Sequence, residues 1–212
     1  MFKMPNISIY INKMKYVCVG QPKTGTKTMA EIFRLLMLNV NNNPLCLNEN
    51  DDFILLDNNI EYYTNDNILK CRENIQMYEA FHDYPYSFNY AYINTKFPDS
   101  KFILTLRDCD EWFNSLFNYQ SIPGMTNKSL LKKLYGYETI LLENKRDVIL
   151  KYKEYNTNVI QYFHNKPNKL LIINLIKQDE NTIKKKLNFF FKKPIDFKIP
   201  YENKQIYNNT NP

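Results

Sequence analysis

The chain has 212 residues, 44% of them apolar and 15% aromatic, enough for a sizeable core, which excludes an intrinsically disordered protein. A net charge of +6 and a pI near 8.9 favour anionic ligands and exclude an acidic, cation-gathering surface. The four cysteines (Cys18, Cys46, Cys71 and Cys109) form no C-x-x-C pair, and the two histidines, His82 and His164, are too few for a zinc site, so no metal is expected.

In chain order, residues 1–14 read as a short lead-in, followed by a strand at 15–20 and a helix at 26–38. Asn39 to Asn50 reads as a loop closed by Pro44, and residues 51–74 are polar and mixed, with no firm assignment. A strand at 75–81, a helix at 86–96, a strand at 101–106 and a helix at 110–119 come next. Ser121 to Asn127, with Pro123 and Gly124, is a loop placed to border a ligand site. Residues 128–164 read as helix with a break at Gly136, their apolar face made by Leu130, Leu134, Ile140, Leu141, Val148, Ile149, Tyr152, Val159 and Ile160. A strand at 170–174, a helix at 179–191 and an irregular tail complete the chain.

Strands that alternate with helices predict right-handed βαβ units: an α/β fold of three layers, α/β/α, with a central parallel sheet. Ligands then lie at the carboxyl ends of the strands. We expect one domain over residues 1–212. No signal-peptide core or membrane-length apolar run is visible, so the expectation is a cytoplasmic protein that does not engage a membrane. The oligomeric state is not readable. The positive charge would also suit nucleic acid, but no recognised nucleic-acid module accompanies it.

The stretch Tyr16-Val17-Cys18-Val19-Gly20-Gln21-Pro22-Lys23-Thr24-Gly25-Thr26-Lys27-Thr28 carries the most chemistry. A β-branched apolar run leads into a polar loop, and Met29, Ile32, Phe33 and Leu36 then recur at helical spacing. In this layout backbone N–H groups and a helix N-terminus converge on an anion. Lys23 and Lys27 add charge, and the hydroxyls of Thr24, Thr26 and Thr28 can donate to oxyanions, so the ligand is a phosphate or a sulfate. Gly20 and Gly25 have the spacing of a Walker A loop, but Thr26 intrudes before Lys27 and Thr28. Pro22-Lys23-Thr24-Gly25-Thr26 instead resembles the 5′-phosphosulfate loop of P-loop sulfotransferases.

A second segment, Lys101 to Asp108 followed by Cys109-Asp110-Glu111-Trp112-Phe113-Asn114-Ser115, is similar to the 3′-phosphate strand and helix of that family. Arg107 and Ser115 have the eight-residue spacing of its phosphate-gripping pair. A guanidinium forks onto phosphate oxygens and a hydroxyl takes another. Between the two motifs, Asp83-Tyr84-Pro85 resembles the D-x-P segment that bears the family's general base, with His82 beside it. Either residue can be the base: His82 has the more natural pKa, and Asp83 has the register, which names it the inward-facing and more essential one. Two departures stand out. Thr28 occupies the place where many cytosolic members stack a tryptophan on adenine, and the C-terminal Arg-Lys-Gly element is missing.

The resemblance implies a P-loop NTPase-like sulfotransferase fold and a transferase. The sulfuryl donor would be 3′-phosphoadenosine-5′-phosphosulfate, without a metal. The acceptor would be a small molecule or a glycan with a hydroxyl or amine. It also implies that Lys23, Thr24, Gly25, Thr26, Lys27, Thr28, Arg107 and Ser115 bind the donor and that Lys23, Asp83 and His82 carry the chemistry. Two other readings stay open. One is a P-loop nucleoside or nucleotide kinase, with Asp108 as an acid after an apolar strand. The other is a nucleotide-binding protein of the same fold without turnover.

Overall fold

The computed structural model describes residues 14–41, 75–122 and 128–201. The expected lead-in, most of the Asn39 to Asn50 loop, residues 51–74, the Pro123-Gly124 segment and the tail beyond Tyr201 lie outside the described residues. Four strands make a parallel sheet: β1 (Tyr16–Cys18), β2 (Ala80–Phe81), β3 (Lys101–Thr105) and β4 (Leu170–Ile173), in the order β2-β1-β3-β4. Val17 pairs with Phe81 on one side and Phe102 on the other, and Ile103 pairs with Leu171. The α/β class and the parallel sheet thus match the expectation.

Alternation along the short strands sends side chains to two cores. Cys18, Ile103 and Ile173 face α1 (Thr26–Leu35) and α6 (Glu180–Phe191), where Met29, Ile32, Phe33, Ile183, Leu187 and Phe191 cover them. Val17, Val19, Phe102 and Leu104 face the opposite layer, built from α2 (Tyr90–Lys96) and α5 (Lys145–Phe163). A third cluster joins α3 (Cys109–Gln120), α4 (Lys128–Tyr135) and α5 around Trp112, Phe113, Leu131, Tyr135 and Tyr152. Cys18 is fully buried, and burial pushes its thiol up to about 12. Among the described residues, no helix is long and apolar enough to cross a membrane.

Several boundaries differ from the sequence reading, each for a visible reason. α1 stops at Leu35 rather than at residue 38. Met37 turns left-handed (φ 61°), its N–H bonds to the Arg34 carbonyl, and the Leu38 N–H bonds to that of Phe33. These bonds form a Schellman stop built without the usual glycine. The strand expected at 75–81 shrinks to Ala80–Phe81, preceded by a helical turn at 75–77. The fully buried Lys15 ammonium binds the carbonyls of Gln76 (2.9 Å) and Tyr78 (2.8 Å), occupying backbone groups that a longer strand would need. The helix expected at 86–96 is a 3₁₀ turn, Tyr86–Phe88, and then α2; the Asn89 side chain donates to the Pro85 carbonyl at the junction.

The break at Gly136 widens into an irregular stretch and a second 3₁₀ turn, Leu142–Asn144, before α5 begins. Gln120 holds this stretch against α3 by bonding both backbone groups of Ile140, accepting from its N–H at 2.7 Å. Leu141 and Ile160, expected on the apolar face, are exposed (45% and 38%) because neither faces this packed cluster. β4 lies at the sheet edge among the described residues, with Ile172 turned outward.

Candidate active site

The loop between β1 and α1 is shaped by two left-handed residues, Lys23 (φ 72°) and Gly25 (φ 102°). Gly25 suits that conformation because it has no Cβ; Lys23 adopts it at some cost in strain. Gly20 has a second reason to be glycine: a Cβ there would lie 1.8 Å from the Thr105 hydroxyl and 2.9 Å from the Thr105 carbonyl oxygen. The loop therefore packs directly on the end of β3.

Thr24 makes the join. Its hydroxyl donates to the Gln21 carbonyl (2.6 Å), faces the Thr105 hydroxyl (2.6 Å) and is fully buried. Its N–H also bonds to Gln21. The Thr24 hydroxyl is thus committed to the fold rather than offered to an anion. What the loop does offer is the start of α1. The first-turn N–H groups of Thr26, Lys27 and Thr28 have no intrahelical partner, the N-cap makes no side-chain hydrogen bond, and the first turn holds no acidic residue. Lys27 is exposed beside them.

Arg107 follows β3 and points back at the loop. The Tyr152 hydroxyl accepts from its N–H (3.0 Å) and donates to its carbonyl (3.1 Å), which fixes the backbone. Its Nη1 donates to the Lys23 carbonyl at 3.3 Å. Its Nε lies 3.7 Å from Glu111 Oε2, and both atoms are buried without a hydrogen-bond partner. Glu111 is thus a long ion-pair partner of Arg107 rather than a hydrogen-bonded one. Ser115 sits farther along α3 on the same buried side as Trp112 and Leu116; no hydrogen bond joins it to Arg107 among the described residues.

The Lys23 ammonium stands 3.8 Å from the centre of the Tyr119 ring. Desolvation lowers its pKa, and the nearby charges of Lys27 and Arg107 lower it further, while Asp83 opposes them. Lys23 in the loop, Lys27 on α1 and Arg107 after β3 therefore lie within electrostatic reach of one another.

Asp83, just past the end of β2, lies within electrostatic reach of Lys23 and Lys27. Adjacent side chains were expected to diverge, but Asp83 leaves the extended region (φ 59°), and its carboxylate accepts a 3.0 Å bond from His82 Nδ1. Desolvation raises the Asp83 pKa, but hydrogen bonds from His82 and Thr26 and the charges of His82 and Lys27 outweigh it, so the net shift is downward. Asp83 thus stays ionised at neutral pH and ties its segment to the first residue of α1.

Residues 15–123 match the sulfotransferase domain family. The chain belongs to that family. No curated protein matches it significantly. The match takes in the β1–α1 loop, the His82-Asp83 segment and the Arg107 to Ser115 stretch, which are the parts of this sulfotransferase chain that meet in space.

Asp108 reads differently in a sulfotransferase than in a kinase. It caps α3, accepting from the N–H groups of Asp110 (3.0 Å) and Glu111 (3.4 Å), and pairs with Lys177. These bonds hold its carboxyl below the usual range. Sequence reasoning missed the residues that brace the loop from behind. The Trp112 indole donates to the Pro22 carbonyl (2.9 Å) and stacks on Tyr152 (4.1 Å, 16°). The buried Tyr135 hydroxyl donates to the Gln21 side chain at 3.0 Å. Trp112 is the only tryptophan and lies five residues past Arg107, a signal that was available; Tyr135 and Tyr152 are two of 17 tyrosines and carried none.

Proposed function

We propose that the protein transfers a sulfuryl group from 3′-phosphoadenosine-5′-phosphosulfate to a hydroxyl or amine of a small-molecule or glycan acceptor. The observation that carries this reading is the proximity of Lys23, Lys27 and Arg107 to one another beside the first turn of α1, which has no acidic residue and no side-chain cap, with Asp83 near them. The donor supplies an activated sulfuryl group. The N–H groups of residues 25–28 and Lys27 would hold its 5′ end, the Thr26 hydroxyl would stay with Asp83, and the backbone of Thr24 sets the turn. Arg107 and Ser115 would hold the 3′-phosphate. Lys23 would stabilise charge that develops on the bridging oxygen of the leaving phosphate. Two free thiols among the described residues, Cys18 and Cys109, support a reducing, cytoplasmic setting.

For the base, the geometry favours a division of labour. Asp83, already ionised and bonded to His82 Nδ1, would fix the ring tautomer, leaving Nε2 to take the acceptor's proton. His82→Asn should then lower turnover by about 10² to 10⁴, the range for a general base. Asp83→Asn should lower it less, and neither change should weaken adenosine 3′,5′-bisphosphate binding. A His82→Asn enzyme faster than Asp83→Asn would return the base to Asp83.

The donor class is tested by thermal shift. Adenosine 3′,5′-bisphosphate at a hundredfold excess over Kd should stabilise the protein by about 2.7 kcal/mol without metal. Equal stabilisation by adenosine 5′-monophosphate would remove the 3′-phosphate site, and a response to ATP with Mg²⁺ alone would favour the kinase. Binding without transfer to any acceptor would identify an inactive nucleotide binder.

A further inference from the structure

Lys23 is anchored on its backbone but has no hydrogen-bonded partner for its ammonium among the described residues. Its φ of 72° and the Arg107 bond to its carbonyl set where the side chain starts. The tip ends 3.8 Å from the centre of the Tyr119 ring, well inside the roughly 6 Å reach of a cation over an aromatic face. Tyr119 lies on α3 four residues beyond Ser115, so the two share one side of that helix.

We propose that the face of the Tyr119 ring holds the Lys23 ammonium in the anion site, which makes Tyr119 a positioning residue for sulfuryl transfer. The role as a transfer residue rests on the function proposed above. The contact itself does not.

The choice of partner has a chemical logic. A carboxylate would hold Lys23 more firmly, but it would also repel a multiply charged donor and compete with it for the ammonium. A ring attracts the cation through its quadrupole and carries no net charge. It can therefore fix the direction of the lysine without closing the site to an anion. Desolvation and the neighbouring Lys27 and Arg107 charges all disfavour the charged lysine, and the Asp83 charge opposes them.

The test compares the wild type with Tyr119→Phe, which keeps the ring, and Tyr119→Leu, which keeps bulk without it. Lysines are methylated reductively with ¹³C-formaldehyde, and the Lys23 signal is identified by its loss in Lys23→Arg. A lysine over a ring face gives an upfield-displaced methyl signal. The expected result is displacement in the wild type and in Tyr119→Phe, and its loss in Tyr119→Leu. With a working acceptor, Tyr119→Leu should turn over about tenfold more slowly, a loss within the range of one cation–π contact. Its Kd for adenosine 3′,5′-bisphosphate should not change, and Tyr119→Phe should restore the rate. An undisplaced wild-type signal would overturn the proposal even if Tyr119→Leu fails to fold, and so would Tyr119→Phe as slow as Tyr119→Leu. A displaced signal in a protein that transfers no sulfuryl group would uphold the contact and overturn the reading of the activity instead.

Discussion

Replacing Lys23 with methionine should lower turnover by about 10² to 10³ while adenosine 3′,5′-bisphosphate still binds; that is the scale of losing one electrostatic stabiliser of a transition state. The reason is timing. Charge on the leaving phosphate develops as the sulfuryl group departs, so a cation placed there gains most of its interaction in the transition state. Ground-state binding rests on other groups: the first turn of α1, Lys27 and Arg107. Methionine keeps the length and apolar stem of lysine, and the left-handed backbone at this position is no more strained for one than for the other. The measurement is steady-state turnover beside calorimetric binding of the bisphosphate. Unchanged turnover would remove Lys23 from the chemistry. Equal loss of binding and rate would make it a ground-state contact.

Arg107→Ala should weaken adenosine 3′,5′-bisphosphate by about 2 to 4 kcal/mol, or roughly 30- to 900-fold in Kd. Most of this is the price of leaving the 3′-phosphate without its guanidinium. The bond from Arg107 to the Lys23 carbonyl is long at 3.3 Å and contributes little to that figure. A ligand without the 3′-phosphate should lose much less affinity, and this difference identifies the role. The backbone of Arg107 should hold its place in the variant, because Tyr152 binds its N–H and carbonyl rather than its side chain. If both ligands weaken alike by calorimetry, Arg107 shapes the loop and does not read the phosphate.

The parts of this protein that were legible in its sequence are those set by local pattern. The apolar runs at Tyr16–Cys18, Lys101–Thr105 and Leu170–Ile173 are strands, and the helical spacing of Met29, Ile32 and Phe33 is α1. The Pro22 to Thr26 motif led to the family. What escaped depends on partners distant in the chain. Thr24 looks like a ligand contact until Thr105, 81 residues away, draws its hydroxyl inward. β2 is short because Lys15 occupies carbonyls some 60 residues downstream. The expectation that Asp83 is the inward one of the pair assumed extended backbone, and Asp83 instead turns left-handed and bonds to His82. Aspartate tolerates positive φ better than most residues, but that tolerance alone does not say which aspartate will turn.

The tie between Trp112 and Pro22 has a practical corollary. The chain contains one tryptophan, and its indole N–H is bonded to the backbone of the loop between β1 and α1. Fluorescence excited at wavelengths that tyrosine does not absorb comes from this one ring, stacked on Tyr152 and buried from water. The protein thus carries a built-in optical gauge at the back of its own site. A change in its emission on adding adenosine 3′,5′-bisphosphate is the expected sign that the loop responds, with no label attached and no acceptor identified.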